Sequence, residues 1–117
     1  RVQVKGSPSL PPILLIDQTL DGATPFAGSL EARSLLPTAR LIAVLGGTTH
    51  ASTPDGNPCV DPQIADYLRT GAIVDRRRGS GPDTTCAALP QPLPNQLAPA
   101  AASAGAKKKP TNTQQRE

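Results

Sequence analysis

"ILLIDQTLDGATPFAGSLEARSLLPTARLIAVLGGTTHAS", residues 13–52, holds two apolar runs separated by a stretch of helix formers. Ile13 to Ile16 is continuous and is opened by Pro11 and Pro12; the second run extends from Ala39 to Leu45 and stops at Gly46-Gly47. Short apolar runs bounded by turn formers suit strands buried on both faces, as in a parallel sheet. Between them, Asp21-Gly22 is a turn signal. Thr24-Pro25 reads as a hydroxyl cap followed by proline at the first helical position. Leu30, Glu31, Ala32 and Arg33 favour a helix despite Gly28, and Pro37 ends it. Strand, helix and strand within about 35 residues make a βαβ unit, whose crossover is nearly always right-handed. The sequence therefore predicts an α/β fold with two parallel, adjacent strands.

Working outward, residues 1–10 are a lead-in in which Val2 and Val4 alternate with polar residues, as in a brief strand or an extended linker. Beyond His50, "ASTPDGNPC" (51–59) is rich in turn formers, and Asp61-Pro62 again reads as a cap and first helical residue. "QIADYLRTG" (63–71) sets Ile64, Tyr67 and Leu68 on one helical face, with Gly71 as the stop. "RRRGSGPDTT" (76–85) reads as a solvated polar loop. The ordered part is expected to span residues 11–92. Residues 93–117, rich in Pro, Ala and Lys, cannot bury enough apolar surface to offset their ordering entropy and are expected to be a disordered tail.

Composition narrows the function. One Phe, one Tyr and no Trp, against 14 Pro and 10 Gly, leave a core of Leu, Ile, Val and Ala, and an independent fold is expected to be marginal. The net charge of +3 resides in the tail, because up to Asp83 eight positive and eight negative residues cancel. The body carries no footprint for a polyanion, and three tail lysines without aromatics are weak evidence for nucleic acid, so no nucleic-acid partner is expected. No run approaches the ~20 apolar residues of a membrane span, so no membrane partner is expected either. The chain opens on Arg rather than Met and shows no signal-peptide pattern, which reads as part of a longer or processed product.

In open parallel sheets, functional groups gather at the carboxyl ends of the strands. Two loops leave such ends here, one carrying Asp21 and the other His50, the single histidine of the chain. A carboxylate beside an imidazole fixes its tautomer and stabilises the imidazolium once the other nitrogen takes a proton. The order of acid before histidine also matches α/β-hydrolase triads. Asp17, just before the first loop, is a rival partner for His50. A zinc site at His50 is excluded by spacing, since a structural site needs four ligands.

The stretch from Pro11 to Ser52 resembles the C-terminal segment of secreted α/β-hydrolase serine peptidases of the tripeptidyl-aminopeptidase-like (TAP-like) family. The resemblance lies in an apolar strand, a "TLD..TP" loop, a helix, a second strand and a Gly-rich turn bearing histidine. "NPCVDPQIADYLRTGAI" and "CAALPQP" resemble the family's closing helix and final cysteine. The resemblance covers about residues 11–92. It implies a partial α/β-hydrolase fold, with Asp21 as the triad acid and His50 as the general base. It also implies peptide substrates with a free N-terminus, a secreted location and no cofactor. Two departures stand out: Gln18, preceded by Asp17, replaces a usual glycine before Thr-Leu-Asp, and Thr49 and Ala51 flank the histidine where glycine is usual.

The nucleophile is missing. No G-x-S-x-G turn occurs, and Ser80 in "RGSGP" follows the histidine with the wrong spacing. In this fold the nucleophile precedes the acid, so it is expected upstream of Arg1, and the chain alone is expected to be inactive. The other reading is a non-catalytic remnant or small binding module that keeps the βαβ shape. Cys59 and Cys86, with 26 residues between them, read as a disulfide worth about 3 kcal/mol in an oxidising compartment, or as two free buried thiols.

Overall fold

The computed structural model describes residues 4–51 and 53–92. Its elements are β1 (Ile13–Gln18), α1 (Phe26–Leu35), β2 (Ala39–Leu45), α2 (Asp61–Thr70) and β3 (Thr84–Ala87). They form an α/β unit around a sheet of order β1-β2-β3, parallel throughout. The predicted βαβ unit is present: β1 runs alongside β2 in a register from Ile13↔Ala39 to Gln18↔Val44. Both strands consequently end at the same edge of the sheet.

Successive side chains of a strand point to opposite faces, and each face has its own partner. On one face Ile42, Val44 and Cys86 pack with Val60, joined by Leu14, Ile16 and Ile64 of α2. On the other face lies α1, packed against β1 and β2. The disulfide Cys59–Cys86, with a Cα–Cα distance of 5.7 Å, ties the start of α2 to β3. Of the two expected strands, β2 is buried on both faces, with Ala39, Leu41, Ile42 and Ala43 fully covered. β1 is not. Ile13 to Ile16 are half-buried, because among the described residues β1 pairs on one edge only.

The largest difference from the sequence reading lies at residues 76–85, expected to be a solvated loop. Thr84 begins a third parallel strand, and Asp83 just before it is buried against Arg33 of α1, the two side chains being 0% and 2% exposed. The guanidinium forks onto the carboxylate, Nε to Oδ2 at 2.7 Å and Nη2 to Oδ1 at 2.6 Å. Nη1 donates to the carbonyl of Gly79, and the second proton of Nη2 goes to that of Arg77. Asp83 also accepts the N–H groups of Leu41 and Arg77. A buried charge persists only when paired and hydrogen-bonded, and both partners meet that condition. Arg76 reaches back to donate to the carbonyls of Arg33 in the last turn of α1, Leu36 just after it and Ala39 at the start of β2.

Helix ends follow the same logic with different residues. Pro25, not Thr24, is the N-cap of α1, and no side chain caps it. At α2 the N-cap is Val60, not Asp61, and no side chain caps the helix; Asn57 orders the approach to it, with Oδ1 accepting the N–H groups of Cys59 and Val60 while Nδ2 donates to the carbonyl of Ala87 in β3. Gly71 ends α2 at φ +74° as expected. Leu68 was expected on the inward face but is 77% exposed; Ile64 packs inward and Tyr67 donates its hydroxyl to the Pro12 carbonyl. Residues 4–12 contain no strand, and both Val2 and the predicted tail at 93–117 lie outside the described residues. No helix among the described residues is long and apolar enough to cross a membrane.

Candidate active site

Because β1 and β2 are parallel and adjacent, the loops that leave them are neighbours, and hydrogen bonds zip them together beyond the strands. The Thr19 N–H donates to the Val44 carbonyl, the Leu20 N–H to the Gly47 carbonyl, and the Gly46 N–H to the Thr19 hydroxyl. Each bond prolongs the parallel ladder past its last residue. At the end of this zipper the Nδ1 of His50 meets the Oδ2 of Asp21 at 2.8 Å.

The acid loop is organised around its own carboxylate. Asp21 Oδ1 accepts the N–H groups of Ala23 at 2.7 Å and Thr24 at 3.1 Å, an Asx-type turn. Oδ2 accepts the Thr24 hydroxyl at 2.7 Å as well as His50. The imidazole of His50, then the Thr24 hydroxyl and the two backbone amides, hold the Asp21 carboxyl far below its ordinary value, outweighing the opposing effect of desolvation. An ionised carboxylate only accepts hydrogen bonds, so the proton between the two groups belongs to Nδ1 of the ring. The Asp21 side chain is 4% exposed, whereas that of His50 is 52% exposed. Among the described residues nothing bonds Nε2. In the Nδ1–H tautomer the second ring nitrogen, Nε2, carries the lone pair that can take a proton.

After His50 the backbone turns sharply: Ala51 has φ +50°, a left-handed conformation that costs an L-residue ~1–2 kcal/mol. Such strain persists only where neighbouring bonds fix the chain, and here the hydrogen bond to Asp21 fixes the residue before it. Beside the pair opens a cavity of about 280 Å³, lined by Asp17, Asp21, Thr24, Ser29, His50 and Thr53 among others.

Of the residues singled out in the sequence, Asp21 and His50 are brought together, and Cys59 is bonded to Cys86. Asp17, the rival acid, is engaged elsewhere. Its Oδ1 takes the Gln18 N–H at 2.7 Å and its Oδ2 the Ser29 hydroxyl of α1 at 2.5 Å. Two participants went unrecognised. Thr24 was read as a helix cap, but its hydroxyl serves Asp21 and lies 3.3 Å from Nδ1 of His50; the Asp-x-x-Thr spacing is the signal for that bond. The contact between Gln18 and Thr49 had no local signal, since 31 positions separate them.

A family model described as TAP-like protein matches residues 1–86. Tripeptidyl aminopeptidase of Streptomyces coelicolor is 34% identical over 93 residues, which are 80% of this chain and 16% of that protein. Tripeptidyl aminopeptidase of Streptomyces lividans is 33% identical over 93 residues, with the same shares. The chain thus spans about a sixth of the length of these curated relatives. No solved structure matches it. With strand, acid loop, helix, strand and histidine turn in one parallel sheet, the chain belongs to the TAP-like family, as the C-terminal part of a tripeptidyl-aminopeptidase-like α/β-hydrolase fold.

Proposed function

We propose that Asp21 and His50 are the acid and general base of a serine-hydrolase triad that cleaves peptide bonds near a free N-terminus. The nucleophilic serine is supplied by chain outside these 117 residues. The observation that carries this reading is the 2.8 Å bond from Nδ1 of His50 to a carboxylate held ionised, on a ring that is half exposed. In the reaction Nε2 takes the serine proton as its oxygen attacks the scissile carbonyl, then returns it to the leaving amine. Asp21 keeps the ring in the Nδ1–H tautomer and stabilises the imidazolium that forms between those steps. The half-buried apolar residues of β1 and its single paired edge support a sheet that continues onto further chain. Peptide substrates are inferred from the names of the Streptomyces relatives. The disulfide supports a secreted protein.

The test is a chimera in which this chain replaces the matching segment of the Streptomyces coelicolor tripeptidyl aminopeptidase. It is expected to release tripeptides from peptide substrates. Asp21→Asn, which presents the wrong hydrogen-bonding partner to the ring, should lower kcat by about 10⁴-fold, and His50→Ala by at least as much. A chimera whose activity survives His50→Ala sinks the triad. A folded, substrate-binding and inactive chimera would favour the second reading, a binding module that keeps the βαβ shape; the absence of G-x-S-x-G from these 117 residues is what speaks for it.

A further inference from the structure

The last rung of the zipper before the Asp21–His50 pair is made by side chains. Gln18, the final residue of β1, donates from Nε2 to the Thr49 hydroxyl and accepts the Thr49 N–H on Oε1 at 3.2 Å. It is 8% exposed although polar, and it holds both the backbone and the side chain of the residue immediately before His50. Gly47 closes over it, and a Cβ at that position would overlap the Gln18 amide. We infer that Gln18 and Thr49 form a two-bond clamp that positions the imidazole of His50 against Asp21, making Gln18 a positioning residue of the site.

The chemistry explains why such a clamp acts on His50 rather than on Asp21. The acid loop closes on its own amides and hydroxyl. In the histidine loop the ring is half exposed, and the residue after it stands in a strained left-handed conformation. Two bonds from the end of a paired strand to Thr49 transmit the rigidity of the sheet to His50. Each ordinary hydrogen bond stabilises by about 0.5–1.5 kcal/mol net, enough to bias a loop between two arrangements.

This inference rests on the proposed role of the pair, and its test separates the two. His50 is the single histidine of the chain, so its ring nitrogens give isolated ¹⁵N resonances whose shifts report the ratio of Nδ1–H to Nε2–H tautomers. The full 117-residue chain is expected to show the Nδ1–H form predominantly. If it does not, the Asp21–His50 bond is absent in solution and the triad reading fails before the clamp is tested. Given that signal, Gln18→Ala and Thr49→Val should each lower the tautomer ratio by about tenfold, a factor that corresponds to ~1.4 kcal/mol. The double variant should fall no further than either single, because the two residues act as one unit. Thr49→Ser, which keeps both the hydroxyl and the N–H, should restore the wild-type ratio. Thr49 lies on an exposed loop, so Thr49→Val remains informative even where Gln18→Ala disturbs β1. A ratio within about twofold of wild type in Thr49→Val, with sheet amide resonances unchanged, overturns the clamp.

Discussion

The buried pair Arg33–Asp83 gives stability an acid limb whose size follows from the structure. Burial pushes the Asp83 carboxyl up, but the Arg33 guanidinium and the N–H groups of Leu41 and Arg77 outweigh it and hold the group at about 2, against 3.8 for a free side chain. Its folded value is depressed, so between those two values the unfolded chain binds more protons, and acid favours unfolding. The stabilisation is complete above about pH 4, falls as pH drops from 4 to 2, and amounts to about 2 kcal/mol, at ~1.4 kcal/mol per pK unit. Urea unfolding of the whole chain, followed by circular dichroism at steps between pH 6 and pH 2, measures it directly. Asp83→Asn should flatten the curve over that acid range by close to one proton. It should also cost about 3–5 kcal/mol at neutral pH, because Arg33 stays buried without a counter-charge. Replacing both partners together, Arg33→Leu with Asp83→Leu, should cost much less than Asp83→Asn alone, since no buried charge is stranded. If Asp83→Asn leaves the acid limb unchanged, or the double replacement is the more damaging, the pair does not fasten α1 to the start of β3 as described.

Other expectations follow from neighbouring contacts. Replacing Cys59 and Cys86 by serine should remove about 3 kcal/mol of stability, and dithiothreitol should shift the urea midpoint of the wild type but not of the variant. Gly47→Ala forces a methyl group into the Gln18 amide; it should cost ~1–3 kcal/mol in urea unfolding, as overpacking does, and displace the His50 ring resonances. His50→Ala should leave the amide protons of Ala23 and Thr24 as protected from exchange as in wild type, because Asp21 holds them without help. Asp21→Ala should expose both, and comparable protection in the two variants would refute that asymmetry.

The legible part of this fold was the part encoded by local pattern. Two apolar runs with a helix between them can satisfy the handedness of a crossover in essentially one way, and the parallel register of β1 and β2 follows from it. β3 escaped because Thr84–Ala87 has neither an apolar run nor an alternation, only Cys86 and the alanines. What makes it a strand is tertiary: the edge of β2, a disulfide, and Asp83 fastened by an arginine 50 positions earlier. Arg33 read as a helix former with a solvated head. Its burial depends on a carboxylate that no window around residue 33 contains. Leu68 fails for the complementary reason, since helical periodicity identifies an apolar stripe without saying how wide a surface awaits it.

The site divides along the same line. Asp21 and His50 were legible because strand topology alone dictates that loops leaving adjacent parallel strands share an edge, whatever their detailed shapes. The choice between Asp17 and Asp21 could not be made by topology, as both lie near the end of β1. Which carboxylate meets the His50 ring follows from pleat and turn chemistry: Asp17 belongs to the strand and pairs with Ser29 of α1, whereas Asp21 starts an Asx-type turn that leaves Oδ2 open to the next loop. Thr24 then illustrates a conflict between two local rules. A threonine before proline satisfies the pattern of a helix cap, in which the hydroxyl oxygen accepts a helix N–H, yet the helix starts one residue later with Pro25 as its N-cap, and the Thr24 hydroxyl donates to the carboxylate three residues back. The helix goes without a side-chain cap, and the acid gains a donor that keeps it ionised. A chain with so small a core can therefore hold a carboxylate and an imidazole together, because the bonds that orient them are made within two loops and the ends of two strands.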